Sequence, residues 1–210
     1  MKTITTLLVL LAVAGLVAAG WIYSGWYDIG ADSPHSKPVF ALLTTLQQRS
    51  VRHHASGIAI PANLDDAQVI LKGAGQYAAM CTGCHLAPGM ANSEIRPGLY
   101  PQPPDLSRIH PVEPRATFWI IKHGIKMSAM PAWGSSHDDA TIWSMVAFLQ
   151  KLPGMTQAQY RDIVVRAPPD DDMDMDEGKH GKGGTPAQGI AIPAGAASAA
   201  GLATGRSSGT

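Results

Sequence analysis

A chain of 210 residues has room for one domain and extensions, and its sixteen basic side chains are balanced by sixteen acidic ones, so no overall charge selects for nucleic acid or for an acidic partner. The balance is uneven: Asp170, Asp171, Asp172, Asp174, Asp176 and Glu177 sit together, which leaves residues 1–169 with thirteen basic against ten acidic groups. Twenty-two Gly and sixteen Pro predict few helices joined by long loops.

Lys2 is followed by an apolar run from Ile4 through Ala19 that extends to Trp21, Ile22 and Tyr23. The short basic start and the small residues Ala18, Ala19 and Gly20 suit a secretory signal peptide. The length, about twenty residues, also suits an uncleaved membrane anchor. Trp21, Tyr23, Trp26 and Tyr27 favour the anchor, because amphipathic rings collect at the bilayer interface. Residues 1–23 are thus expected to be a transmembrane anchor or a signal peptide, and both carry the rest of the chain across the membrane.

Residues 24–60 read as a linker with an amphipathic helix. Asp32, Ser33, Pro34 and His35 look like a helix start, with Pro38 in the first turn. Val39, Leu42, Leu43 and Leu46 recur at helical spacing, Val51 continues the stripe, and Arg49, Arg52, His53 and His54 make a basic end. Such a helix either lies on a membrane or partner subunit, or packs its stripe on the domain that comes after it. His35, His53 and His54 are expected at the surface rather than as ligands.

Residues 61–154 hold the motifs. Asp65 or Asp66 caps a helix that carries Val69, Ile70, Gly73, Tyr77 and Met80. Gly73 and Tyr77 lie four apart, on one face. A glycine inside a helix costs about 1 kcal/mol relative to alanine, so Gly73 predicts the close approach of a second helix. The helix runs into Cys81-Thr82-Gly83-Cys84-His85, the C-x-x-C-H pattern of c-type haem attachment, in which two thiols bond the porphyrin and the histidine ligates the iron. Cys81 and Cys84 are the only cysteines. A redox pair would expect a βαβ setting that the sequence lacks. A structural zinc site takes about four ligands, and His110 and His123, the available completions, are spaced too widely.

The stretch from Leu86 to Arg115 is too rich in Pro and Gly for regular helix or central strand. A haem would give so long a loop something to pack on. A proximal histidine needs an acceptor for its second ring nitrogen, and the Pro97 carbonyl is the candidate. Pro114–Gly124 reads as a short apolar helix with Phe118, Trp119, Ile120 and Ile121. Next comes Lys126-Met127-Ser128-Ala129-Met130-Pro131-Ala132-Trp133-Gly134. A thioether sulfur is a soft ligand suited to the sixth position of haem iron, where it raises the reduction potential. Met130, stiffened by Pro131, is the expected ligand; Met127 is its competitor, without the proline. Asp138–Leu152 reads as the clearest amphipathic helix, with Ile142, Trp143, Val146, Ala147 and Leu149 at helical spacing and Pro153-Gly154 stopping it. It is expected to meet the first helix at Gly73 and Tyr77 through Trp143 and Ala147. Residues 155–210 are expected to be a disordered, low-complexity tail, with at most a short helix over Gln157–Val165. Within it, Asp170–Gly184 mixes acids, Met and His and is either a weak metal-binding tract or a solvated segment.

Taken together, Cys81–His85, the Gly124–Gly134 segment and the closing helix with Ile142 and Trp143 resemble class I c-type cytochromes. More narrowly, the chain resembles the membrane-anchored monohaem domains found as subunits of bacterial oxidases and dehydrogenases, over residues 65–153. The resemblance implies an all-α fold, a small cytochrome c domain wrapped around one covalent haem c behind an N-terminal transmembrane helix. It implies that Cys81 and Cys84 hold the haem, that His85 and Met130 ligate the iron, and that Gly73, Tyr77 and Trp143 join the first and last helices. It further implies a one-electron carrier rather than an enzyme, since two axial protein ligands leave no open position on the metal. Such a carrier works in a periplasmic respiratory chain of the bacterial cytoplasmic membrane, between a quinol-oxidising complex or dehydrogenase and a terminal oxidase or reductase. Lys122 and Lys126 are candidates for the docking surface. The alternatives are a fixed cytochrome subunit of a membrane dehydrogenase or oxidase, and a haem-based redox or gas sensor in which Met130 is displaceable.

Overall fold

The computed structural model describes residues 2–109 and 113–169, and every regular element in them is helical. In chain order these are α1 (Lys2–Ser24), α2 (Lys37–Ala55), α3 (Ala67–Met80), α4 (Thr82–His85), α5 (Pro114–His123), α6 (Asp139–Leu149) and α7 (Gln157–Arg166). The all-α architecture and the N-terminal apolar helix agree with the expectation from sequence. His110, considered above as a zinc ligand, and the tail from Asp170 to Thr210 with its metal-binding tract lie outside the described residues.

α1 has 23 residues, buries none of them in the protein, and is long and apolar enough to cross a membrane. At 1.5 Å per residue it spans about 35 Å, against about 30 Å of hydrocarbon. α2 starts at Lys37, later than Asp32–His35 suggests, with Ser36 at the cap and Pro38 in the first turn. Its apolar stripe divides. Val51 and Ala55 are buried where α2 packs on α5, whereas Phe40, Leu42, Leu43 and Leu46 stay exposed.

Asp66 caps α3, its carboxylate accepting from the N–H groups of Gln68 and Val69. The next contact organises the fold. α3 packs along α6, and a Cβ on Gly73 would lie 1.9 Å from the carbonyl oxygen of Ser144. The two backbones therefore touch, and only glycine fits. One turn on, Tyr77 is fully buried with its ring 5.5 Å from that of Phe148. The expected contact at Gly73 and Tyr77 is present, and Ser144 and Phe148 take part in it. Trp143 turns away to stack on Phe118 of α5, ring centroids 4.3 Å apart.

α6 is not the amphipathic helix that its spacing suggests. Thr141, Ile142 and all residues from Ser144 to Leu149 are buried, because α3 and α5 both pack on it. A helix covered on several sides has no polar face to keep; its hydroxyls find partners, Thr141 Oγ1 accepting from Lys72 Nζ of α3 at 2.8 Å and Ser144 donating to the Thr141 carbonyl at 2.7 Å. α7 brings a second correction. It opens with a reciprocal cap between Thr156 and Gln159, packs on α3, and buries Tyr160 beside Tyr77 and Phe148. The packed region thus runs past Gly154, where the tail was expected to begin. The capping pair and one aromatic supply what the short segment lacks in apolar residues.

Two measurements test this packing. Gly73→Ala should destabilise the folded protein by about 2 kcal/mol or more in denaturant titration, since the overpacking cost exceeds the helix-propensity gain of about 1 kcal/mol. Asp138 caps α6, accepting from Thr141 N at 2.7 Å; the bonds from Thr141 hold its carboxyl below the usual range, helped by Lys72 and His137. Asp138→Ala should therefore cost about 1 kcal/mol at neutral pH. A lowered folded-state pKa adds stability above the unfolded carboxylate value of about 3.9, so the difference between wild type and variant should shrink as the pH falls through the lowered value.

Candidate haem site

α3 ends at Met80 and the chain re-enters a single turn, α4, in which the N–H groups of Cys84 and His85 both bond the Cys81 carbonyl, at 3.1 and 2.8 Å. Cys81 and Cys84 are thereby held one turn apart, with His85 directly after them. Both sulfurs are free thiols. Burial pushes the Cys81 thiol up to about 12, with Cys84 adding to the shift. A reactive redox pair requires the opposite, a thiolate stabilised near neutral pH. The described residues also contain no cluster of three or more His, Cys, Asp or Glu able to hold a metal ion. His123 instead lies against Trp119, ring centroids 5.0 Å apart.

The residue after His85 carries the turn. Leu86 has φ 61° and ψ 175°, a conformation disfavoured for a side chain of its size. Three contacts impose it. Leu86 N bonds the Thr82 carbonyl at 3.0 Å, the Tyr77 hydroxyl donates to the Leu86 carbonyl at 2.5 Å, and the Leu86 side chain is buried. The same hydroxyl lies 3.3 Å from the His85 carbonyl, which also accepts from Leu106 N at 3.1 Å. Burial pushes the Tyr77 phenol far up, so it remains a donor. Tyr77 thus links the α3–α6 core to the backbone that presents His85.

The His85 imidazole is oriented in turn. Its Nδ1 lies 2.9 Å from the Pro104 carbonyl oxygen. A carbonyl only accepts, so Nδ1 carries the proton and Nε2 keeps its lone pair. Burial lowers the imidazole pKa, outweighing the Pro104 bond, and Arg96 lowers it further. The ring is thus neutral, as a metal ligand must be. The acceptor was expected in this loop at Pro97; it is Pro104, because Pro97 sits inside a turn of 3₁₀ helix from Arg96 to Gly98. Arg96 helps to hold the acceptor strand, donating from Nη2 to the Pro103 carbonyl at 2.9 Å.

The methionine loop separates its two candidates. Met127 is 99% exposed, on a left-handed residue at φ 58°. Met130 is half-buried and packs against the same core that Cys81 touches. Its backbone is pinned at both ends: Ile125 N donates to the Met130 carbonyl at 3.1 Å, and Met130 N donates to Ser128 Oγ at 3.2 Å. Gly124 makes room for this, having φ 65° and only 2.6 Å between a hypothetical Cβ and the Met130 carbonyl oxygen. Of the two lysines considered for docking, Lys122 is committed to Asp139 at 2.6 Å and to the Phe118 ring, while Lys126 is exposed.

Residues 68–149 match the family model described as cytochrome C oxidase, cbb3-type, subunit III. The matched segment is similar to the class I c-type cytochrome domain of that subunit. A domain of that kind implies haem-based electron transfer. The match begins in α3 and ends with α6, so it encloses the C-x-x-C-H turn, the Pro104 carbonyl and the Met130 loop and leaves out α1, α2 and α7. No curated protein and no solved structure gave a match. The residues present fit a haem: two free thiols on one helical turn, a neutral imidazole with its outer nitrogen held, and a thioether on a pinned loop.

Sequence reasoning missed Pro104 and the role of Tyr77 as a donor. A buried tyrosine needs an acceptor, which is the signal for the second; the first depends on how the loop folds back. Tyr77→Phe should cost about 1–3 kcal/mol in equilibrium unfolding, since it leaves the Leu86 carbonyl without its buried donor.

Proposed function

We propose that this chain is a membrane-anchored one-electron carrier. Cys81 and Cys84 would hold one haem c through their sulfurs, and His85 and Met130 would ligate its iron. When bound, the haem supplies an iron that accepts and releases a single electron between its ferric and ferrous states. The chain's own residues do the rest. Pro104 fixes the imidazole tautomer and strengthens its donor nitrogen. Tyr77 holds the backbone on which His85 sits. The apolar core around Cys81 and Met130 excludes water, which together with a sulfur ligand favours a high reduction potential.

The observation that carries this reading is the His85–Pro104 bond within a half-buried C-x-x-C-H turn. It leaves one ring nitrogen available and no competing partner set for the thiols. With His85 and Met130 both holding the iron, no position would be left for substrate, which supports an electron carrier rather than an enzyme. We place it on the bacterial cytoplasmic membrane with the haem domain in the periplasm, passing electrons from a quinol-oxidising complex or dehydrogenase to a terminal oxidase or reductase. A second reading, a fixed cytochrome subunit of such a complex, is favoured by the oxidase subunit named in the matching family's description. Purification in mild detergent separates the two: a stoichiometric partner supports the subunit, a lone chain the carrier.

Spectra test the ligand set. Met130→Ala should abolish the weak long-wavelength band of sulfur-ligated ferric haem and lower the potential by on the order of 100 mV, within the roughly 0.8 V that axial ligands command. Met127→Ala should leave both unchanged. The reverse pattern would transfer the role to Met127.

A further inference from the structure

The loop that pins Met130 also carries a second methionine in an unfavourable place. Ser128 N and Ser128 Oγ both donate to the Ile125 carbonyl, at 3.2 and 2.8 Å, and Met130 N donates to Ser128 Oγ at 3.2 Å. These bonds close a tight turn whose central residues are Lys126 and Met127. Met127 has φ 58°, a conformation that the third place of a turn normally gives to Gly or Asn. A long side chain there costs backbone strain, and no burial offsets it, since Met127 is 99% exposed. Neither backbone preference nor packing accounts for a methionine at this position.

Among the described residues no other methionine is so open. Met145 is buried, Met80, Met130 and Met155 are half-buried against the core, and Met90 is 37% exposed. Two-electron oxidants convert a thioether to a polar sulfoxide, and a sulfur that stands in water meets them first. The two sulfurs of this loop differ in what that change would do. A sulfoxide at Met130 would present oxygen in place of the soft sulfur suited to haem iron. A sulfoxide at Met127 would stay in water, and none of the bonds that pin Met130 uses the Met127 side chain.

We propose that Met127 is an oxidation site that takes up oxygen from hypochlorous acid or a hydroperoxide ahead of Met130 and so spares the ligand. In sum the sulfur gives up two electrons and gains an S–O bond. With hypochlorous acid the O–Cl bond breaks, and chloride and a proton leave; with a hydroperoxide the O–O bond breaks, and water or an alcohol leaves. The proposal rests on Met130 being the axial ligand.

The test treats the full-length ferric holoprotein and its Met127→Leu variant with a single equivalent of hypochlorous acid. Peptide mass spectrometry reads the sulfoxide at each methionine, and the weak long-wavelength band reads ligation by sulfur. In the wild type, sulfoxide at Met127 should exceed that at Met130 by on the order of tenfold, with the band retained. In Met127→Leu, which keeps an apolar side chain without the sulfur, loss of the band at the same dose should rise severalfold. Sulfoxide at Met130 equal to or above that at Met127 in the wild type overturns the proposal. Equal loss of the band in the two proteins also overturns it, because other groups then take the oxidant. The band separates this failure from failure of the ligand assignment. Oxidation at Met130 with the band lost removes only the sparing role; oxidation at Met130 with the band intact, or loss of the band in step with Met127 sulfoxide, removes Met130 as the ligand too.

Discussion

The backbone-to-backbone contact between α3 and α6 is the constraint on which the candidate haem site depends. At Gly73 the carbonyl of Ser144 occupies the space of a side chain, so α3 and α6 approach more closely than any other residue would allow. That approach buries Tyr77 completely against Phe148. A buried phenol must donate, and its acceptors are the carbonyls of Leu86 and His85. The strained turn at Leu86 is stabilised by those bonds, and the turn sets the position of His85. Packing between distant helices is converted in this way into the placement of one imidazole.

Electrostatics at the turn stem from the same burial. Low polarity raises the Cys81 thiol and lowers the His85 imidazole, so both are held neutral. A raised Cys81 thiol and a lowered His85 imidazole suit haem attachment and coordination and disfavour a thiolate redox centre at Cys81. Arg96, a cation that acts on His85, is turned to the Pro103 carbonyl and reinforces the loop whose next carbonyl, at Pro104, holds the histidine. The site is therefore built from local backbone acceptors rather than from charge pairs.

Beyond the cytochrome domain, the chain invests its aromatic residues in attachment. Tyr27, His35 and Tyr100 tie the segment after α1 to the proline-rich loop, and His54 stacks on Trp119 at 5.6 Å to seat α2 on α5. These contacts give the expected surface histidines a structural use. They also leave the tether after α1 with little slack.

Local chemistry was legible in the chain itself. The C-x-x-C-H spacing, the stiffening Pro131 after Met130, the capping aspartates and the apolar length of α1 each depend on neighbours a few residues away, and such relations survive in a linear text. Gly73 announced a close approach for the same reason, since its cost in a helix is local. Only the tertiary structure decided which residue fills that approach, that α6 is covered on several sides rather than amphipathic, that α7 joins the core through Tyr160, and that Pro104 rather than Pro97 holds His85. Each of those outcomes depends on which distant segments come to lie side by side, and periodicity records that a face is apolar without recording what will cover it.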